Sequence, residues 1–131
     1  MKNTLLAISL LCISLFSFSA CNSGSSAKSP YWDANVEQFK NLMEKNPDAV
    51  VLDVRTPQEF AEGNIPGAML VDVNGPDFNA KVDAMDKNKK YLIYCRSGSR
   101  SVTACNAMAD KGFKDLTNLL GGYQAWAQSQ N

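Results

Sequence analysis

Cys95 is the residue of this chain best placed to do chemistry. It closes the apolar run Tyr91-Leu92-Ile93-Tyr94, and Arg96-Ser97-Gly98-Ser99-Arg100 follows before a helical pattern begins. A short turn between a strand and a helix aims successive backbone N–H groups at one point, an anion nest above the helix N-terminus. Gly98 gives so tight a turn the backbone freedom it needs. The amides, the helix end, Arg96 and Arg100 all favour thiolate over thiol. An ordinary cysteine, with a pKa of about 8.5, is roughly 3% thiolate at pH 7, and a fall of about two units makes the thiolate the majority form. The same donors suit an anionic substrate and the charge that develops during attack. Sulfur transfer and phosphate-ester hydrolysis both fit this setting; the plainer alternative is a structural cysteine at the end of a buried strand. The chain contains no histidine. That removes Ser-His-Asp and Cys-His machinery and most catalytic zinc sites, so activation has to come from the loop.

The elements that must hold the loop follow from periodicity. Residues 49–54, AVVLDV, form a β-branched run suited to a strand covered on both faces. NIPGAMLVDV turns into a second strand over about 68–73, YLIYC is a third over 91–95, and a short one lies near Leu116–Leu119. Between them fall helical patterns. Asn35 and Gln38 form a capping box ahead of Val36, Phe39, Leu42 and Met43, and Thr56-Pro57-Gln58-Glu59 repeats the signal. Phe78, Val82 and Met85 share one helical face, as do Val102, Cys105 and Ala109, with Met108 beside them. Gly112 is a helix stop, and a last helix bears Tyr123, Trp126 and Ala127. Alternating strands and helices specify an α/β domain in three layers, a central parallel sheet with helices on both faces. Ligands of such sheets bind beyond the carboxyl ends of the strands, where Cys95 sits.

Composition bounds the rest. The 131 residues suffice for one domain, and 13 basic residues balance 13 acidic ones, so no nucleic-acid groove is expected. Lys2 and Asn3 precede the apolar stretch LLAISLLCISLF and then small residues, the pattern of a signal peptide over 1–20. The segment FSAC resembles a bacterial lipobox, which implies lipidation of Cys21, palmitate included, and a flexible tether over 21–30. The expected location is the bacterial cell envelope as a membrane-anchored lipoprotein on the periplasmic side, the alternative being a soluble periplasmic or secreted form. Cys95 and Cys105 then remain in the folded part. Cys105 lies several residues into a helix that rises about 1.5 Å per residue, away from the loop, whereas a disulfide needs Cα atoms within about 7 Å. Cys105 is therefore expected in the core.

CRSGSR after YLIY, together with DVRTPQEF, NIPGA and LLGGYQAW, resembles the single-domain rhodanese family across nearly all of residues 31–129. The resemblance implies that Cys95 takes a sulfane sulfur from thiosulfate or a similar donor as a persulfide. A small thiol or a protein thiol would then remove it. It implies that the amides of Arg96, Ser97, Gly98, Ser99 and Arg100 cradle the persulfide and the substrate anion. Arg96 would meet the sulfonate end of a donor, and Arg100 would organise the loop. Asp53 and Arg55 match the family's DVR element and are expected to brace the sheet edge, with Arg55 within reach of Glu59. Asn64 replaces the histidine of the usual HIPGA. No cofactor or metal is implied, and a monomer is expected. Two alternatives remain. One is a non-enzymatic persulfide carrier or partner-binding domain. The other is a phosphatase or arsenate reductase, whose relatives in this group carry a longer loop than the six residues from Cys95 to Arg100.

Overall fold

The computed structural model describes residues 27–131. Five strands form one parallel sheet: β1 (Trp32–Ala34), β2 (Val50–Asp53), β3 (Met69–Leu70), β4 (Lys90–Tyr94) and β5 (Asp115–Leu119), in the order β1-β5-β4-β2-β3. The helices are α1 (Val36–Lys45), α2 (Pro57–Glu62), α3 (Phe78–Asp83), α4 (Ser99–Asp110) and α5 (Gly122–Gln128). Side chains alternate along the strands, so the sheet feeds two cores. Leu52, Tyr91, Ile93 and Leu116 pack with Phe78 and Val82 of α3 and Ala104, Cys105 and Met108 of α4. Val51, Leu92, Tyr94 and Leu119 pack on the other face with Phe39 of α1 and Trp126 of α5. The domain is α/β with helices on both faces, as expected.

Local signals set the helix starts. Asn35 accepts from the Gln38 amide while the Gln38 side chain accepts from the Asn35 amide, and Thr56 and Glu59 repeat the exchange at α2, where Pro57 opens the helix. Three expectations change. The strand placed over 68–73 shortens to Met69–Leu70, because its partner β2 ends at Asp53. The buried face of α4 is Ser101, Ala104, Cys105 and Met108, with Val102 and Ala109 only half-buried, because the helix is rotated to turn Ser101 toward the sheet. β1, three residues with no alternating pattern, is a short edge strand that periodicity does not reveal.

The membrane reading is corrected. The signal peptide, Cys21 and most of the tether lie outside the described residues. Among the described residues no helix is long and apolar enough to cross a membrane. Their exposed large apolar side chains are Trp32, Met69 and Leu120 alone, too few to form a membrane-seeking face. The lipid-anchored envelope location, the membrane partner through Cys21, and the lipoprotein, palmitate and periplasm readings therefore have no support here and are withdrawn.

Candidate active site

Cys95 directly follows β4, and Gly98 stands immediately before α4. The six residues between Tyr94 and Ser101 therefore include the whole turn and the first helical residues. Gly98 has φ of +114°, a backbone conformation that L side chains rarely adopt. Its amide donates to Cys95 Sγ at 3.1 Å, and the Ser101 hydroxyl lies 3.3 Å from the same sulfur. The turn thus curls onto the sulfur itself. Burial pushes the Cys95 thiol up, but the Ser101 hydroxyl and the amides of Ser101, Gly98 and Ser97 outweigh it, and the net direction is downward. Arg96, Ser97 and Ser99 are exposed around it.

Gly121 and Gly122, at the start of α5, seat that helix on this turn. A Cβ on Gly122 would stand 2.5 Å from the Cys95 carbonyl oxygen and 2.6 Å from the Arg96 carbonyl carbon. The close approach lets the Tyr123 amide donate to the Cys95 carbonyl (2.8 Å) and the Gln124 amide to the Arg96 carbonyl (3.0 Å). Trp126 is in the core beneath.

Two ion pairs flank the loop. Arg100 makes a two-pronged contact with Glu59, both bonds 2.7 Å. Hydrogen bonding to Arg100 holds the Glu59 carboxyl down to about 2, against the opposing effect of burial, with Thr56 adding to the effect. Arg55 pairs instead with buried Asp53 through Nε and Nη2, the latter at 2.7 Å, and donates to the Gly63 carbonyl. Its guanidinium lies 4.4 Å from the Tyr123 ring centre and 5.5 Å from that of Tyr94. The expected Arg55–Glu59 approach is therefore replaced by Arg100–Glu59, since Asp53 and the two rings hold Arg55 back. Arg55, Glu59, Arg96, Tyr123 and Gln124 line an open cleft beside the loop. A larger cavity, lined by Trp32, Lys45, Lys90 and Lys114, opens where β4 and β5 begin, away from Cys95. Asn64 donates to the Phe60 carbonyl at 3.0 Å and so closes the end of α2, a local role for the residue that replaces histidine.

Cys105 is fully buried and unbridged, and burial raises its thiol to about 12. Sequence reasoning missed Ser101, Asn118 and Asp33. Ser101 donates toward Asn118 Oδ1 at 2.6 Å, and Asn118 Nδ2 donates to Asp33 Oδ1 at 2.8 Å. The available signals were a serine in the first turn of α4, whose Cβ tilts back toward the loop, and a polar residue two places after Leu116 on the same strand face.

This geometry has counterparts. Residues 35–129 match the model of the rhodanese-like domain. The chain is 39% identical over 88 residues to the putative sulfurtransferase YtwF of Bacillus subtilis, covering 67% of this chain and 82% of the relative. It is 34% identical over 92 residues to a sulfurtransferase of Allochromatium vinosum, covering 70% and 84%. The crystal structure of a rhodanese-like domain protein from Staphylococcus aureus superposes with a TM-score of 0.65 at 29% identity, covering 72% of this chain and 90% of that one. A cysteine-bearing loop of this shape, on this sheet and in a chain matched along most of its length, makes the protein a member of the rhodanese-like sulfurtransferase family.

Proposed function

We infer that the protein moves sulfane sulfur through a persulfide on Cys95. The observation that carries this reading is the Gly98 amide at 3.1 Å from a sulfur whose thiol is shifted downward. The Cys95 thiolate attacks the outer sulfur of thiosulfate or a similar donor. A new S–S bond forms, the donor's S–S bond breaks, and sulfite leaves with the electron pair. A thiolate or cyanide then attacks the outer sulfur of the persulfide and returns the electron pair to Cys95. The loop amides from Arg96 to Arg100 hold the anion, and Arg96, exposed at the cleft, meets the sulfonate. Asp53, Arg55 and Glu59 support the loop rather than touch substrate. Thiosulfate as donor is supported by a relative named thiosulfate sulfurtransferase GlpE, from Stutzerimonas stutzeri, 34% identical over 83 residues.

A second reading is a persulfide carrier that loads sulfur but turns over slowly without a partner protein. It is favoured by a relative named putative sulfur carrier protein, from Bacillus subtilis, 28% identical over 94 residues. Phosphate or arsenate chemistry is less well supported, because the loop from Cys95 to Arg100 has the short, six-residue form. Incubation with thiosulfate and cyanide separates the readings. Continuous thiocyanate release is expected for the transferase. A single loading of Cys95 without turnover would favour the carrier. Neither loading nor turnover with thiosulfate, polysulfide or a low-molecular-weight persulfide would overturn both.

A further inference from the structure

The Ser101 hydroxyl has one hydrogen and faces three acceptors: Asn118 Oδ1 at 2.6 Å, the Gly98 carbonyl at 3.0 Å and Cys95 Sγ at 3.3 Å. Asn118 cannot turn its amide round to relieve this. Its other end faces the Asp33 carboxylate, which only accepts, so Nδ2 must point at Asp33 and Oδ1 at Ser101. Among the described residues no buried polar side-chain atom lacks a partner. If Ser101 turns its hydrogen to the sulfur, the carbonyl oxygen of Asn118, a residue only 2% exposed, loses the donor given to it here.

We propose that Asp33 and Asn118 are positioning residues that set the direction of a hydrogen-bond relay, Asp33–Asn118–Ser101–Cys95, and thereby hold back ionisation of the Cys95 thiol. In the thiol form the S–H donates to Ser101, whose hydrogen goes to Asn118, and every group is satisfied. In the thiolate form the sulfur and Asn118 compete for the one hydroxyl hydrogen. The Gly98 amide donates to the sulfur in both. Resting on the sulfur-transfer reading, one consequence follows. The inner sulfur of a persulfide carries no charge, so the relay is satisfied when sulfur is loaded and in conflict when the thiolate is bare.

The charged and titratable groups that face Cys95 are Arg100 and Cys105 of α4, with Glu59 of α2 and Asp72 beside Arg100, and Asp33 of β1 at the far end of the relay and beside Cys105. Asp33→Asn keeps the shape of an exposed side chain and lets Asn118 reverse, so that Ser101 accepts from Asn118 and donates to sulfur. The midpoint of the pH dependence of iodoacetamide alkylation, followed on the Cys95 peptide by mass spectrometry, should fall by about half to one pH unit. Asn118→Leu, which retains the Asp33 charge, should lower it in the same direction. With Ser101→Ala in place, Asp33→Asn should move the midpoint no further. An unchanged midpoint in both single variants overturns the relay. An equal fall with and without Ser101 also overturns it, because that is the through-space effect of removing a negative charge. Alkylation needs no sulfur donor, so this result stands apart from the outcome of the thiosulfate assay.

Discussion

Cys95 and Cys105 are both buried, at 1% and 0% exposure, both facing the same core, yet their thiols are pushed in opposite directions. Burial alone raises a thiol, and at Cys105 nothing opposes it. At Cys95 the same penalty is met by the Ser101 hydroxyl and amide and by the loop amides of Gly98 and Ser97. Depth in the protein therefore does not decide whether a cysteine is inert. What decides is whether the groups around it have spare donors, and here the turn between β4 and α4 provides them. Cys105, in the second turn of α4, has its neighbouring amides committed to the helix ladder.

The comparison can be broken in several ways. The largest effect is expected in native alkylation near neutral pH, where Cys95 should be modified at least about a hundredfold faster than Cys105. Equal rates by peptide mapping would mean that the loop confers no activation. Next, Gly122→Ala drives a Cβ into the Cys95 and Arg96 carbonyls at a φ of +56°. It should lower the Cys95 alkylation rate about tenfold, cost about 1–3 kcal/mol by denaturant titration and leave Cys105 protected. A variant that alkylates normally would show that α5 does not shape the loop. Cys105→Ala removes a core sulfur and should cost about 1–2 kcal/mol, with the Cys95 rate unchanged. A slowed Cys95 would mean that the two thiols act together.

The smallest effect concerns the ion pair behind the loop. Arg100 and Glu59 side chains are 27% and 22% exposed, so Glu59→Gln should cost only about 1 kcal/mol at neutral pH. The carboxyl is lowered from 4.5 to about 2 in the folded protein. A lowered carboxylate contributes stability that is fully present above its unfolded value and is lost as pH falls through the folded one. The stability gap between the wild type and Glu59→Gln should therefore close between about pH 4.5 and about pH 2, measured by denaturant midpoints. A gap that persists at the bottom of that range would mean that the residue acts through shape rather than charge.

Much of this arrangement was legible in the sequence because its signals are local. The capping residues Asn35 and Thr56, the strand runs of β2 and β4, the glycine at position 98 and the burial of Cys105 and Trp126 each follow from neighbours in the chain. The partners that cross the fold were not legible. Glu59 meets Arg100, 41 residues away, rather than Arg55, because Asp53 two residues before Arg55 already holds that guanidinium. Asp33 reaches Asn118 across 85 residues through a three-residue edge strand whose pairing with β5 no periodicity announces. Strand order places these groups together, and strand order is a property of packing between distant segments.

The central claim is that the sulfur of Cys95, and not that of Cys105, is the carrier. It is tested most directly by exposing the native protein to thiosulfate, digesting without reductant and locating added sulfur by mass spectrometry. One extra sulfur atom on the Cys95 peptide and none on the Cys105 peptide is the expected result. Added sulfur on Cys105, or on neither peptide after thiosulfate and polysulfide alike, would contradict the account.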